Sequence, residues 1–544
     1  MGLLFALPPA AAQAQAPPDD LAALQLRLDR LERENAELKA TVEQRLPYSA
    51  AGQSYYTEVL PPPGEGDRVR SIVEEYLAQR ERGSPAGYET SAAVVEAAGA
   101  NLAPPSDPEW TQVGQDLSMA ARWNNGLEVA TKDKAFRIHV GGRWQLDTSW
   151  FSADQAVQQN LPGNVMYHDG IDFRRARLRI DGTMYEVIEF ACEYDFVNGL
   201  RVGHPNNSDF LDQNVPALTD LWLQYSHTPL GNIRIGNQKE AIGFEHIVSS
   251  RFLPFMERSY NQDTFYGGAF NGFIPGASIN GNVWEDRASY HLGLYKPTNN
   301  VFGFSTNDGD YSVTGRLTWL PIYEQEGRQL LHLGASVRQA TTYDDRLRFR
   351  TRDAIRAGVA TQWPVPADIT VFGDTVQWFN FELAAVQGPW TLQAEWLLSN
   401  THDAQRVGGG PLVQDLLYQG GYVQLLYFLT GESDTYSLER MAFDRMKPFE
   451  NAFWLRDANC ESIFGRGAWQ VGARYNFLDL NDQGINGGQL HNFTAGLNWF
   501  WNPNSKWQFN YFATYRDVSQ ASDANIADGS GWIHGWGMRF AQDF

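Results

Sequence analysis

Three things are scarce in this chain, and each scarcity closes off a class of protein. Only two cysteines occur in 544 residues, Cys192 and Cys460. They cannot build a disulfide framework, and neither has a second Cys or His at zinc-ligand spacing. Long apolar runs are missing as well. No window offers the roughly 18 uninterrupted apolar residues of a spanning helix, and the longest candidate, Met1 to Ala12, is broken by Pro8 and Pro9. Positive charge is also in deficit. Lys and Arg total 43 against 64 Asp and Glu, a net charge of −21, which argues against the broad basic surface of a nucleic-acid binder. Lysine supplies only seven of those basic residues. Arginine supplies the rest, and its planar fork suits bidentate contacts with oxyanions.

Catalytic and metal motifs are equally sparse. The ten histidines include no HExxH or other paired-ligand spacing, Ser249 and Ser250 lack the setting of a nucleophile elbow, and Asp479, Asn481, Asp482 and Gly484 miss the EF-hand pattern and read as a turn. No enzyme activity, metal site or cofactor is expected.

Aromatics and glycine are plentiful, with 18 Trp, 23 Tyr, 31 Phe and 50 Gly, a mixture suited to many short strands and tight turns. From about residue 118 the chain alternates. Phe493, Ala495, Leu497, Trp499 and Trp501 hold one parity while Thr494, Gly496 and Asn498 hold the other; Trp507, Phe509, Tyr511, Ala513 and Tyr515 oppose Gln508, Asn510, Thr514 and Arg516. Ile188, Phe190, Cys192, Tyr194 and Phe196 alternate with Glu189, Glu193 and Asp195. Acidic residues at every second position do not fit a dry soluble core. They fit a wet interior wrapped by an apolar exterior, the inversion of a transmembrane antiparallel β-barrel. Trp532, Trp536, Met538, Phe540 and the terminal Phe544 share one parity, interrupted by Gln542. Residues 118–544 suit about 16 strands, with 18 as the alternative count. A soluble sandwich array or propeller is the other all-β reading, but no blade-length repeat is visible.

The first 117 residues have a different texture. Residues 1–16, closing on Ala14, Gln15 and Ala16, read as an export signal peptide without a basic leader; a disordered Ala/Pro tail is the alternative. Residues 17–46 read as a periplasmic α-helical coiled coil, with Leu21, Leu24, Leu28, Leu31, Leu38 and Val42 at heptad positions and Asn35 as the polar one. A helix packed on the chain's own body is the alternative. Residues 47–117 form a tether, with Pro61, Pro62 and Pro63 and a short helix over 68–82.

Two arginine columns carry the chemistry. Arg346, Arg348, Arg350 and Arg352 alternate with Leu347, Phe349 and Thr351, so an extended chain points all four guanidinia one way, about 6.5 to 7 Å apart. Such a column repels itself unless anions or carboxylates oppose it. It is therefore an anion track, or an exposed loop with local ion pairs to Asp344, Asp345 and Asp353. In FRRARLRIDG, Arg175, Arg177 and Arg179 share one face and Arg174 begins the other.

The segments FRRARLRIDGTMYEVIEFACEYDF, LTDLWLQY, IRIGNQKEAIGFEHIVSSRFLPFMERS, YVQLLYFLTGE and GAWQVGARYNFLDLNDQGINGG resemble successive blocks of the phosphate-selective porin O and P family, across nearly the whole barrel region. The resemblance implies a 16-stranded trimeric outer-membrane barrel whose constricted pore is approached by an arginine ladder and holds a central anion site of Arg and Lys. By resemblance, Arg174, Arg175, Lys239 and Arg251 belong to that site, Asp220 is an acidic partner near it, and Arg346, Arg348 and Arg350 are the ladder. The chain departs from the family in its acidity and its few lysines, so phosphate is expected as one permeant among small anions.

The expected protein is thus a passive homotrimeric porin in outer-membrane lipid. It passes phosphate or other small anions, and its coil joins protomers in the periplasm and reaches peptidoglycan. A weakly selective general diffusion porin and a structural anchor working through the coil are the rivals.

Overall fold

The computed structural model describes residues 117–544 apart from 163–165, 198–216, 268–271, 297–310, 342–345, 357–363, 408–412, 414, 457–461 and 523. The expected signal peptide, coiled coil and tether lie outside the described residues.

Sixteen strands close into one antiparallel barrel. They are β1 (Arg137–Ala153), β2 (Gly170–Met184), β3 (Ile188–Asp195), β4 (Ala217–Thr228), β5 (Gly231–Lys239), β6 (Phe273–Val283), β7 (Ala288–Tyr295) and β8 (Ser312–Glu324). The second half comprises β9 (Gln329–Thr341), β10 (Thr375–Gln387), β11 (Trp390–His402), β12 (Asp415–Phe428), β13 (Ala468–Asp482), β14 (Ile485–Asn502), β15 (Ser505–Asp517) and β16 (Gly531–Asp543). Each strand pairs with its sequence neighbour, and β16 returns to β1 in a register running from Ile533↔Ala153 to Asp543↔Arg143. Phe544 extends the seam, exchanging backbone hydrogen bonds of 2.7 and 3.0 Å with Gly142. A closed ring leaves no strand edge unsatisfied, which is what hydrocarbon demands. The further two strands in the sheet, Met119–Trp123 and Leu127–Thr131, form a hairpin laid against the start of β1.

The alternation behaves as the sequence predicts. Phe493, Phe509, Trp532 and Trp536 are exposed on the outer face, while Thr494, Asn510, Thr514 and Arg516 are buried inside. Glu193 and Asp195 face inward and Tyr194 outward.

One inference about strand faces is corrected. Arg174 does not begin the opposite face of its strand. The β1–β2 register jumps from Gln145↔Arg175 to Leu146↔Phe173, leaving Arg174 as the unpaired residue of a β-bulge. The extra residue lets two neighbours point the same way, so Arg174 and Arg175 are both buried in the lumen while Phe173 and Leu178 stay on the outside.

Two connections from one end of the barrel enter the lumen. Residues 240–272, between β5 and β6, contribute Ile242, Tyr260 and Phe265 to an apolar cluster with Trp378, Leu397, Tyr418 and Leu478 of the inner wall. Residues 342–374, between β9 and β10, add Phe349 and Val371 to it. From the opposite end, where the short turns and the Phe544 terminus lie, the long connection 429–467 sends Tyr436, Met441 and Phe443 inward. There they meet Phe244 and Leu253 of the 240–272 loop. The Phe244 and Phe443 rings sit edge to face, 5.1 Å apart. These segments pack mainly against β8–β15 and leave the lumen beside β1–β8 open.

Candidate functional site: a basic cavity inside the barrel

The open part of the lumen is a cavity of ≈ 760 Å³. Thirteen Lys and Arg and six Asp and Glu line it, and five further carboxylates just behind its wall, Glu128, Asp195, Glu257, Glu382 and Asp543, pair with lining arginines. Basic side chains are thus concentrated at the lumen of a chain whose net charge is −21.

Of the sequence-predicted residues, Arg175, Arg177, Arg179, Lys239 and Arg251 line this cavity. Their partners divide them into two groups. Arg177 is neutralised: its Nε donates to Asp195 at 2.7 Å and its Nη1 to Glu193 at 2.9 Å. Arg179 donates to Asp181 at 3.0 Å and, through Nη1, to Asp220 at 2.7 Å, so the acidic partner expected at Asp220 lies within the cavity wall. Arg251 lies 3.6 Å from Asp543. Arg175 and Lys239 are less compensated. Arg175 donates to the neutral Gln145 at 2.8 Å, with Glu257 3.9 Å away, and Lys239 Nζ donates to the His246 carbonyl at 2.6 Å.

Two cavity residues carry no sequence signal of the columnar kind. Arg143 donates to Glu193 at 3.1 Å and to Ser249 at 3.3 Å. Arg258 donates only to the carbonyls of Glu245 and Val248, at 2.8 and 2.6 Å, and burial pushes it down to about 10. Neither Lys239 nor Arg258 has a carboxylate in ion-pair range among the described residues. Arg143 shares the inward parity of Gln145 and Asp147, so the alternation of β1 points to it; Arg258 sits in an irregular loop where no period operates.

Arg174 is turned away from the cavity, into a buried knot of charge. Its Nε and Nη2 donate to the two oxygens of Glu257 at 2.7 and 3.1 Å. Glu257 also accepts from Arg539 at 2.9 Å and lies 3.3 Å from Arg356. Burial alone would raise the Glu257 carboxyl, but Arg174, Arg356, Arg175 and Arg539 together hold it well below its usual value. Arg356 reaches Asp263 at 2.8 Å, and Arg352 donates to the same carboxylate at 2.5 and 2.8 Å. Burial likewise opposes ionisation of Asp263, and Arg352 and Arg356 overcome it. Arg352, the last member of its arginine column, thus clasps the 240–272 loop.

The three expected ladder residues occupy a short strand, Arg346–Thr351, paired with Ala367–Phe372. Its inner face buries Phe349, and the other face presents Arg346, Arg348 and Arg350, all exposed. Arg348 donates to Asp368 at 2.9 and 2.5 Å. None of the three lines the cavity; they stand on the loop that enters from the other end of the barrel.

Among the described residues no cluster of His, Cys, Asp or Glu has the geometry of a metal site. An apolar outer face around a charged, hollow lumen defines a membrane channel. The family model for phosphate-selective porin O and P matches residues 138–541, and the chain belongs to that family. It is a bacterial outer-membrane porin, a channel rather than an enzyme. A relative named porin O, from Pseudomonas aeruginosa, is 26% identical over 456 residues, covering 78% of this chain and 92% of the relative. An uncharacterized protein of Caulobacter vibrioides is 24% identical over 440 residues, 78% of this chain and 76% of its own. Among solved structures, the anion-selective porin of Comamonas acidovorans aligns with a TM-score of 0.42 at 11% identity, covering 75% of this chain and all of that one.

Proposed function

We propose that this porin conducts small anions, phosphate foremost, down their gradient through a constricted arginine-lined passage, as a homotrimer. The observation that carries the reading is the gathering of thirteen Lys and Arg around the luminal cavity, with Lys239 and Arg258 held by carbonyl oxygens instead of carboxylates. Cations so held keep attraction to spare for a passing oxyanion. In a low-dielectric wall that attraction is screened less than at a free surface. Arg346, Arg348 and Arg350 collect anions at the entrance, and Arg175, Arg177, Arg179, Lys239 and Arg251 receive them, each replacing part of a hydration shell and releasing it to the next. Arg174 and Arg352 hold the constriction in shape.

The family's description supports phosphate as the permeant. Planar-bilayer recordings of the purified protein test the reading. An anion-selective reversal potential in a salt gradient, with chloride current inhibited by added phosphate, is the expected result; cation preference overturns it. Changing Arg346, Arg348 and Arg350 together to Ala should lower the chloride-to-potassium permeability ratio.

One observation favours a second reading, a general diffusion porin of weak selectivity: Arg177 and Arg179 each already pair with two carboxylates. That reading predicts little change in the permeability ratio for the triple variant.

A further inference from the structure

The luminal cavity changes chemistry along its length. Lys239 stands where β5 runs into the 240–272 loop, whereas Asn232 and Arg234 stand near the short turn from β4. Toward that turn end the wall strands offer as many acids as bases, with Asp181, Glu189 and Asp220 against Arg137, Arg179 and Arg234. The facing 429–447 connection adds Arg440, Arg445 and Lys447 with Glu439 and Asp444, and Arg445 donates to Asp543 at 2.9 Å. A second anionic group therefore finds little net attraction at this end.

What the turn end does offer is hydrogen-bonding groups without partners. The Arg234 guanidinium lies 3.9 Å from the centroid of the Trp222 ring, and its Nε donates to Gln224 at 3.0 Å. Its two Nη groups have no partner among the described residues. Asn280 accepts from Asn232 at 3.4 Å through Oδ1, which leaves its Nδ2 unused. Nδ1 of His291 is buried and has no partner among the described residues. Asn232, Asn280 and His291 are register neighbours across β5, β6 and β7, and adjacent strands lie about 4.8 Å apart, so Arg234, Asn280 and His291 form one patch of the cavity wall. Such groups are costly to leave open. Amide, imidazole and guanidinium edges in a charge-balanced setting suit hydroxyl groups, each of which both donates and accepts.

Size and spacing agree. At ≈ 760 Å³ the cavity is far larger than a phosphate ion requires and falls within the range of about 300–1,000 Å³ that holds drug-sized ligands. Trp222 pairs with Gly236, three residues or about 10 Å along β5 from Lys239.

We infer that this cavity takes a phosphate monoester of a hydroxylated body, a sugar or polyol phosphate, with the phosphoryl group on Lys239 and Arg258 and the hydroxyls on Arg234, Asn280 and His291. The inference rests on the proposed function for its phosphoryl end and on the turn-end patch for the rest.

Planar-bilayer recordings of the purified full chain test it, with glucose 6-phosphate, inorganic phosphate and pyrophosphate each added against a chloride current. Glucose 6-phosphate should inhibit at a lower concentration than inorganic phosphate. Asn280→Ala combined with His291→Ala should raise its half-inhibiting concentration on the order of tenfold and leave that of inorganic phosphate unchanged. Trp222→Leu, which removes the ring beside Arg234, should move the ester in the same direction, so the outcome does not depend on the folding of one variant. An ester that inhibits no better than inorganic phosphate overturns the inference, as does an equal loss for both in the variants or no loss for the ester. Pyrophosphate weakened by the same substitutions while the ester is untouched also overturns it, because the patch would then hold a second phosphate. The two readings fail separately. Inhibition by inorganic phosphate alone sinks this inference and leaves the proposed function, whereas inhibition by the ester alone sinks phosphate as the foremost permeant and leaves the inference.

Discussion

Arg174 and Glu257 meet fork to carboxylate, at 2.7 and 3.1 Å, across 83 residues of chain. The pair joins a wall strand to the loop that fills the lumen. Arg174 reaches it because the bulge in β2 turns that side chain inward beside Arg175. Glu257 serves Arg356 and Arg539 as well, so one buried carboxylate balances a group of cations that would otherwise repel one another.

Glu257→Gln removes that balance. An uncompensated buried cluster costs on the order of 3–5 kcal/mol, and the expected outcome is a clear fall in the Tm of the folded barrel, followed by circular dichroism or by heat-dependent gel mobility. An unchanged Tm would show that the guanidinia find other partners.

The same site predicts resistance to acid. The Glu257 carboxyl is depressed in the folded protein, below an unfolded value near about 4.3. Its stabilisation is therefore complete above that value and is lost only as pH falls through the lower, folded one. Hydrogen exchange of the 253–263 backbone, corrected for the intrinsic rate, should be as protected at about pH 4.5 as at neutrality. Protection that fades between those two points would contradict the assignment.

Adjacent positions of β7 test which way the wall faces. His291 lines the cavity, whereas Leu292 is exposed on the outer face. Leu292→Arg places a charge toward lipid, at a cost on the order of 2–4 kcal/mol. His291→Arg should be milder for stability, and it should shift the reversal potential toward anions. Measured folding free energies in vesicles that rank the two the other way would reverse the faces.

Phe443→Ala empties the space beside Phe244, where the connection from the turn end meets the loop from the other end. Truncating a buried phenyl ring costs on the order of 3–5 kcal/mol. The expected result is faster protease cleavage within residues 429–447, with larger current fluctuations in single-channel records. Equal cleavage rates would mean that His332, bonded to Tyr436 at 2.7 Å, and Arg316, bonded to the Met441 carbonyl at 3.3 Å, are enough to hold the segment.

The outer wall was legible in the sequence because lipid on one side and water on the other impose a strict period of two. Phe493 and Trp536 on one face, and Thr494 and Glu193 on the other, follow it. The pattern fails where another segment replaces water. Leu478, Leu480 and Leu490 point inward and are fully buried, since the loops that enter the barrel give them an apolar partner. Arg174 was misassigned by parity because a bulge adds a residue with no local sequence mark. Arg175, Arg177 and Arg179 were readable as a column, and Asp220 came through family resemblance. Arg258, Glu257 and Arg356 were not readable: their roles depend on where irregular loops come to rest, and loops have no period.

The seam between β16 and β1 sets a condition on how the ring comes into being. Arg539 holds Asp147 by two hydrogen bonds of 2.6 Å, across 392 residues. Contacts between segments so remote are the slowest to form. Until they do, both outermost strands remain open templates for a stranger's backbone. Closing the ring is therefore also what withdraws those templates, so the last contact to form is the one that ends the chain's exposure to its neighbours.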